Sequence, residues 1–284
     1  MYRCPVCAAR LEPGPTAYTC SEGHAFDRSR EGYVNLLLRP PRNRSSGDSL
    51  EMIHARRRFL DGGHFDAVRE AVLAVLGRGS VLDVGCGEGY YTRPLGQGGG
   101  PGSGGESDQD WTWVGGIDVS RPAIRLAARR GPGIAYAVAN AFDLPVVSAG
   151  IDNVVSVFGP IAPDEIDRIL TPSGRVVVVG PAPSHLIELK ELLLAEARPH
   201  ELRHPLQDDA RFRVMKQSRV TRTLVLDRPD VEALVDMTPY RWQIPVDRRS
   251  RRDEIGAMTV TADCVIVTLG RAGTMPGASP EPTS

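Results

Sequence analysis

A short apolar run that ends in three alternating glycines constrains this chain more than any other feature. Residues 81–91 read Val-Leu-Asp-Val-Gly-Cys-Gly-Glu-Gly-Tyr-Tyr. Ser80–Val84 suits a buried strand, and Gly85, Gly87 and Gly89 let the backbone turn tightly beneath a ligand. The flanking patterns alternate between helix and strand. Apolar residues at Val68, Val72, Val75 and Leu76 mark an amphipathic helix over 66–76. Further strands are expected at Trp113–Val119, Ile134–Ala139, Val154–Phe158 and Arg175–Gly180, with helices at Ala123–Arg130, Asp164–Leu170, Ser184–Ala197 and Pro229–Met237. Strand patterns at Val220–Asp227 and Thr259–Leu269 close the series. Parallel strands joined by helices require a doubly wound α/β sheet, and the paired late strands suggest one antiparallel edge.

The rest of the chain divides around this block. Residues 1–35 are cysteine-containing and turn-rich, 36–52 read as a linker broken by Pro-Pro and Ser-Ser-Gly, and 53–271 carry the strand–helix series. The tail over 272–284 is small, polar and proline-rich, which predicts disorder. Gln97–Asp110 is a glycine-rich interruption expected to be a surface loop. No apolar run approaches the ~20 residues that span a bilayer, and the first residues lack the layout of a secretory signal. The cytosol is therefore the expected compartment, where thiols stay reduced and five cysteines read as ligands or packed groups. Net charge is only −1, which excludes a polyelectrolyte, but basic charge is local. Seven arginines fall within residues 1–44, and His54–Arg58 adds a second basic run. Arginine suits bidentate phosphate contacts and stacking on bases.

Cys4, Cys7, Cys20 and His24 have the spacing of two ligand pairs. Three thiolates and one imidazole complete a tetrahedral shell for one zinc ion, with no position left open for catalysis. The metal is expected to be structural, in a ribbon-like module whose small core makes zinc a main source of folding energy.

The glycine loop has the spacing G-x-G-x-G, with an acidic residue two places before its first glycine. It resembles motif I of class I S-adenosylmethionine methyltransferases, whose loop amides face the amino-acid part of the cofactor. Asp118, at the end of the second strand, stands where that class holds the ribose hydroxyls. A carboxylate can accept both hydroxyl protons. The alternative for Asp118 is helix capping, a role Ser120 already fills before Pro122. Asn140-Ala141-Phe142 follow the third strand, where the adenine edge would lie. Cys86 reads as a small packed residue rather than a nucleophile.

The combined pattern resembles the bacterial 23S rRNA (guanine-N1)-methyltransferase family of the RlmA type, including its macrolide (tylosin) resistance members, from about residue 3 to 271. The strings that carry it include Gly32–Leu37, Gly47-Asp-Ser49, Ala55–Asp61, Gly63-His-Phe65, Cys86–Thr92, Pro181–Lys190 and Met237-Thr-Pro239. The resemblance implies a class I, Rossmann-like fold with an N-terminal zinc ribbon, and S-adenosylmethionine as cofactor. It places the donor against Phe65, the loop residues Gly85, Gly87, Glu88, Gly89 and Tyr90, Asp118 and His185. A tyrosine is common at position 65 in the family, so Phe65 keeps ring packing and loses a hydroxyl contact. For His185 the alternative is an early helix residue that interacts with nearby backbone. The resemblance also implies a hairpin of 23S rRNA near the peptide exit tunnel as substrate, a link to macrolide resistance, and a homodimer.

The chemistry leaves some alternatives open. Methyl transfer to guanine N1 needs alignment and the removal of one proton, and no residue stands out as the base. The fourth strand ends Val157-Phe158-Gly159-Pro160, without the Asn/Asp-Pro-Pro-aromatic loop of exocyclic-amine enzymes. Cys264, in the last strand pattern, is poorly placed for cytosine-C5 chemistry. A small-molecule methyltransferase with a structural zinc module and a non-catalytic RNA-binding protein are the competing readings. The intact glycine loop and Asp118 argue against the latter, and the arginines of the zinc module argue against the former.

Overall fold

The computed structural model describes residues 1–38, 48–97, 111–201, 204–248 and 255–273. The centre of the expected linker, the glycine-rich loop after Gln97 and nearly all of the tail lie outside the described residues.

The N-terminal part holds β1 (Glu12–Pro13), β2 (Ala17–Thr19) and β3 (Ala25–Asp27), a small antiparallel sheet, followed by β4 (Val34–Asn35). Then come α1 (Leu50–Asp61), α2 (Asp66–Leu73), β5 (Gly79–Val84), α3 (Arg93–Gln97), β6 (Trp111–Asp118), α4 (Arg121–Arg130) and β7 (Ala135–Val138). The second half runs β8 (Ile151–Val157), α5 (Pro163–Ile169), β9 (Leu170–Pro181), α6 (Ile187–Leu193), β10 (Phe212–Leu226), α7 (Arg228–Met237) and β11 (Met258–Arg271). The main sheet has eight strands in the order β10-β11-β9-β8-β5-β6-β7-β4. All neighbours pair in parallel except β11, which is antiparallel to both β9 and β10. The antiparallel strand thus lies one place inside the edge rather than at it. Strand order reverses between β5 and β8, which opens a crevice beyond their C-terminal ends.

Most elements arise where the apolar periodicity puts them, and the two departures each trace to a hydrogen bond, one local and one long-range. α1 occupies the end of the expected linker and the HARRR run, because Ser49 accepts a hydrogen bond from the Met52 amide at 3.2 Å and caps a helix at Leu50. Met52, Ile53, Phe59 and Leu60 form its buried face. α6 is shorter than the 184–197 pattern. Leu186 adopts a left-handed backbone (φ 53°) to donate to Thr261 O on β11, so the helix starts only after it. Leu194 then turns to extended backbone.

Two hydrophobic clusters make up the core. One gathers α1, α2 and α7 with residues such as Val81, Tyr136 and Ile266. The other joins Leu82, Ile117, Ile151 and Val176 to Tyr2, Leu11 and Tyr18 of the N-terminal part. Tyr2 is 1% exposed, meets Trp113 edge-on at 5.5 Å, and donates from its hydroxyl to Ala135 O. β4 pairs in parallel with β7 and widens the main sheet by one strand. The N-terminal part is therefore built into the large sheet rather than tethered beside it. No described helix is long and apolar enough to cross a membrane.

Candidate functional site

β5 delivers the chain to the crevice at Val84, and the glycine loop follows. Gly85, Gly87 and Gly89 all have left-handed backbone, with φ of 76°, 55° and 85°. A side chain at Gly89 would also stand 2.9 Å from the Tyr136 hydroxyl, so glycine is required there twice over. The loop holds its shape through its own amides. Gly85 and Cys86 both donate to Ile117 O, at 2.9 and 3.0 Å, and Gly89 donates to Cys86 O. The Gly87 amide donates to Asp118 Oδ2 at 3.0 Å.

Asp118 ends β6 and accepts a second bond on Oδ1 from the Ser120 amide at 2.7 Å. A carboxylate has about four acceptor positions, so two remain for hydroxyl groups of a ligand. Burial raises its pKa, and the Ser120 and Gly87 amides oppose that shift by favouring the charged form. Ser120 itself caps α4 through Ala123 N at 3.4 Å, so the capping role falls to Ser120.

These groups open onto a cavity of about 810 Å³. Phe65, Gly85, Gly87, Glu88, Tyr90 and Asp118 line it, together with Asn140, Ala141 and Phe142 beyond β7. The floor on the far side is Val157–Pro160, where Phe158 is held with φ of 51° and remains 45% exposed. Gly89 and His185 are not among the lining residues. His185 sits behind the wall, its ring 5.5 Å from that of Phe158 and 6.1 Å from that of Phe65. Its Nδ1 accepts from the Asp263 amide at 3.1 Å, and burial lowers its pKa to about 4. The imidazole is neutral near pH 7 and can orient the two aromatic walls without adding charge.

The side chains of Glu88 and Tyr90 turn partly away from the cavity. Glu88 is buried against Arg130, which donates to Oε2 at 3.0 Å, while Oε1 has no partner among the described residues. Burial raises the Glu88 pKa against the pull of Arg130. The Tyr90 hydroxyl donates to Asp66, and the Arg69 guanidinium lies 4.7 Å from the Tyr90 ring centre. Asp83, beneath the loop, is fully enclosed. Its pKa is raised to about 7 by desolvation, although Thr92 donates to it. Cys86 and Cys264 are both buried thiols with raised pKa values, in keeping with packing rather than nucleophilic roles.

Further residues line the cavity that sequence reasoning had assigned no role, among them Leu37, Asp48, Arg56 and Met237. Their signal was present in the family-like strings over residues 32–37, 47–49, 55–61 and 237–239. Only the fold shows that these strings meet.

The second candidate site lies in the N-terminal part. The ligand atoms of Cys4, Cys7, Cys20 and His24 all fall within 4.8 Å of one another. Cys7 Sγ and Cys20 Sγ are 3.7 Å apart, and Cys20 Sγ is 3.4 Å from His24 Nδ1. A tetrahedron with zinc–sulfur bonds of about 2.3 Å has edges of roughly 3.8 Å, so the donor set and its spacing fit zinc. The arginines around it are only partly available. Arg3 pairs with Asp143 at 3.2 Å and Arg10 with Glu12 at 3.0 Å, while Arg39, Arg42 and Arg44 lie outside the described residues.

Known proteins resemble both parts of the chain. A zinc-ribbon family described as RlmA, N-terminal matches residues 2–46, and a family described as Methyltransferase domain matches residues 81–180. The chain is 36% identical over 261 residues to the 23S rRNA (guanine(748)-N(1))-methyltransferase of Streptomyces fradiae, a match that covers 88% of this chain and 89% of that protein. A Micromonospora griseorubida protein, provisionally named a 23S rRNA (guanine-N(1)-)-methyltransferase, is 36% identical over 267 residues, covering 88% and 90% of the two chains. A Bacillus subtilis (strain 168) protein with a similar provisional name is 28% identical over 281 residues, covering 94% and 96%. The methyltransferase domain makes S-adenosylmethionine the cofactor, and the ribbon with its Cys₃His cluster is a zinc site. With the glycine loop, the ribbon and this likeness along nearly the full length of its relatives, the chain belongs to the 23S rRNA (guanine-N1)-methyltransferase family.

Proposed function

We propose that this protein transfers the methyl group of S-adenosylmethionine to N1 of a guanine in 23S rRNA. The observation that carries the reading is the loop–Asp118 cavity at the reversal of strand order, in a chain 36% identical to an enzyme named for that reaction. In this reading Asp118 accepts the donor's ribose hydroxyls with its remaining lone pairs. Gly85, Gly87 and Gly89 keep side chains out of the donor's path, and Phe65 and Tyr90 wall the amino-acid end. Glu88 acts through its backbone and its ion pair with Arg130, and His185 acts through Phe65 and Phe158. The donor supplies an activated methyl group, so the protein's task is in-line alignment and exclusion of water.

Residues 1–35 serve as the RNA-recognition module, with zinc held by Cys4, Cys7, Cys20 and His24. Residues 36–52 are its connection and 53–271 the catalytic domain. The resemblance further suggests a hairpin near the peptide exit tunnel as target, a homodimer, a cytoplasmic setting and a contribution to macrolide resistance. An extruded guanine would reach the donor from the Phe158 side of the cavity.

Primer extension on rRNA treated with the protein and its donor tests the proposal. Methylation at N1 blocks the Watson–Crick edge and gives one donor-dependent stop at a guanine of 23S rRNA. An unchanged extension pattern, with label passing to small molecules instead, would reject it.

A further inference from the structure

Three sequence strings that no part of the site explains come together at one corner of the cavity. Asp48, from the Gly47-Asp-Ser49 string, accepts a hydrogen bond from Arg56 Nη1. Arg56, from the string over 55–61, also donates through Nη2 to the carbonyl of Met237 at 3.3 Å. All three residues line the cavity, and among the described residues Arg56 is the one cation in its lining. Its Nη1 lies 3.7 Å from where a Cβ on Gly87 would stand, directly against the glycine loop.

The loop offers an anion fewer donors than its length suggests, because the amides of Gly85, Cys86, Gly87 and Gly89 already donate within the protein. The neighbouring Asp118 carboxylate, beside the Gly87 amide, would repel one. S-adenosylmethionine carries a carboxylate and an ammonium on one carbon. A half-buried Arg–Asp pair, each 29% exposed, is complementary to that zwitterion.

We propose that Arg56 binds the carboxylate of the methyl donor and Asp48 its ammonium, the pair exchanging its mutual bond for the donor's head group. This rests on the reading of the cavity as the donor site. The Met237 carbonyl holds Nη2, and Nη1, the nitrogen beside Gly87, is the donor released when Asp48 turns to the ammonium. The helix that carries Arg56 begins at the Ser49 cap, one residue after Asp48, so donor binding also fixes the start of α1.

The test uses calorimetric titration of the full chain with three ligands: S-adenosylhomocysteine, its decarboxylated analogue, and 5′-methylthioadenosine, which lacks the whole amino-acid part. Wild-type protein is expected to bind the decarboxylated analogue about 10–100-fold more weakly than S-adenosylhomocysteine, as for loss of a charge-assisted contact. Arg56→Gln is expected to weaken S-adenosylhomocysteine by a similar factor and to leave methylthioadenosine within about 3-fold, which also reports an intact fold. Arg56→Lys should fall between, because a point charge replaces the fork. Equal wild-type affinity for the acid and its decarboxylated analogue would overturn the proposal. So would an equal loss for all ligands in Arg56→Gln, which marks a structural pair only. Wild-type protein that binds none of the three would instead remove the donor reading beneath it.

Discussion

Gly87 and Asp118, thirty-one residues apart in sequence, are joined by a hydrogen bond of 3.0 Å from the Gly87 amide to Asp118 Oδ2. The bond ties the C-terminal end of β6 to the loop that leaves β5 and leaves the carboxylate with unused lone pairs toward the cavity. Asp118→Ala should therefore weaken donor binding by about 10–100-fold, the equivalent of one or two lost hydrogen bonds to a charged group. Calorimetry with S-adenosylhomocysteine measures it. Unchanged affinity would take Asp118 out of the donor site.

Asp83 should make the protein less stable as pH rises. Its pKa is raised to about 7 in the fold, against an ordinary value of 3.8. The folded state thus holds this proton more tightly than the unfolded chain. The contribution is fully present below pH ~4 and is lost as pH climbs toward ~7, on the order of 4 kcal/mol. Asp83→Asn keeps an acceptor for Thr92 and has nothing to ionise. Urea denaturation at pH 5 and pH 8 should show the variant gaining stability relative to wild type at the higher pH. A constant difference across that range would contradict the assignment.

Arg130 is expected to matter more for folding than for RNA contact. It bridges Glu88 and Asp61, at 3.0 and 2.7 Å, and Glu88 is buried. Arg130→Met leaves a buried carboxylate without its cation and should cost about 3–5 kcal/mol. Adding Glu88→Gln should restore part of that loss, as a double-mutant cycle by denaturation would show. Strictly additive effects would mean that the two groups do not depend on each other.

Zinc should stabilise more than the ribbon. Tyr2, Leu11 and Tyr18 share a cluster with Ile117, Ile151 and Val176 of the large sheet. Chelation, or Cys4→Ser with Cys7→Ser, should release one equivalent of zinc and also lower the melting temperature of the whole chain. Tyr2→Ala should lower it as well, by about 3–5 kcal/mol of stability, without loss of the metal. A melting transition indifferent to chelation would show that the two parts fold separately.

The separate elements and the local motifs were readable because each depends on neighbours in sequence. Apolar periodicity marked β5 through β9, and the glycine spacing marked the loop. Four ligand residues within twenty-one positions marked the zinc site. α1 escaped because its proline- and serine-rich approach reads as a break, and its cap at Ser49 shows only once Met52 is seen to donate to it. α6 was overextended because the left-handed turn at Leu186 is imposed by Thr261, seventy-five residues away.

By itself the sequence determined that a strand would end in a glycine turn beside an acidic residue, and that a metal knuckle would precede it. Both are consequences of short-range chemistry. Only the tertiary structure decided that Asp48, Arg56 and Met237 share a corner with Gly87, that His185 stands behind Phe158, and that Tyr2 roots the ribbon in the large sheet. Those contacts join segments as much as 181 residues apart. Which segments meet is set by strand order and by burial of the common core, and no local pattern encodes either.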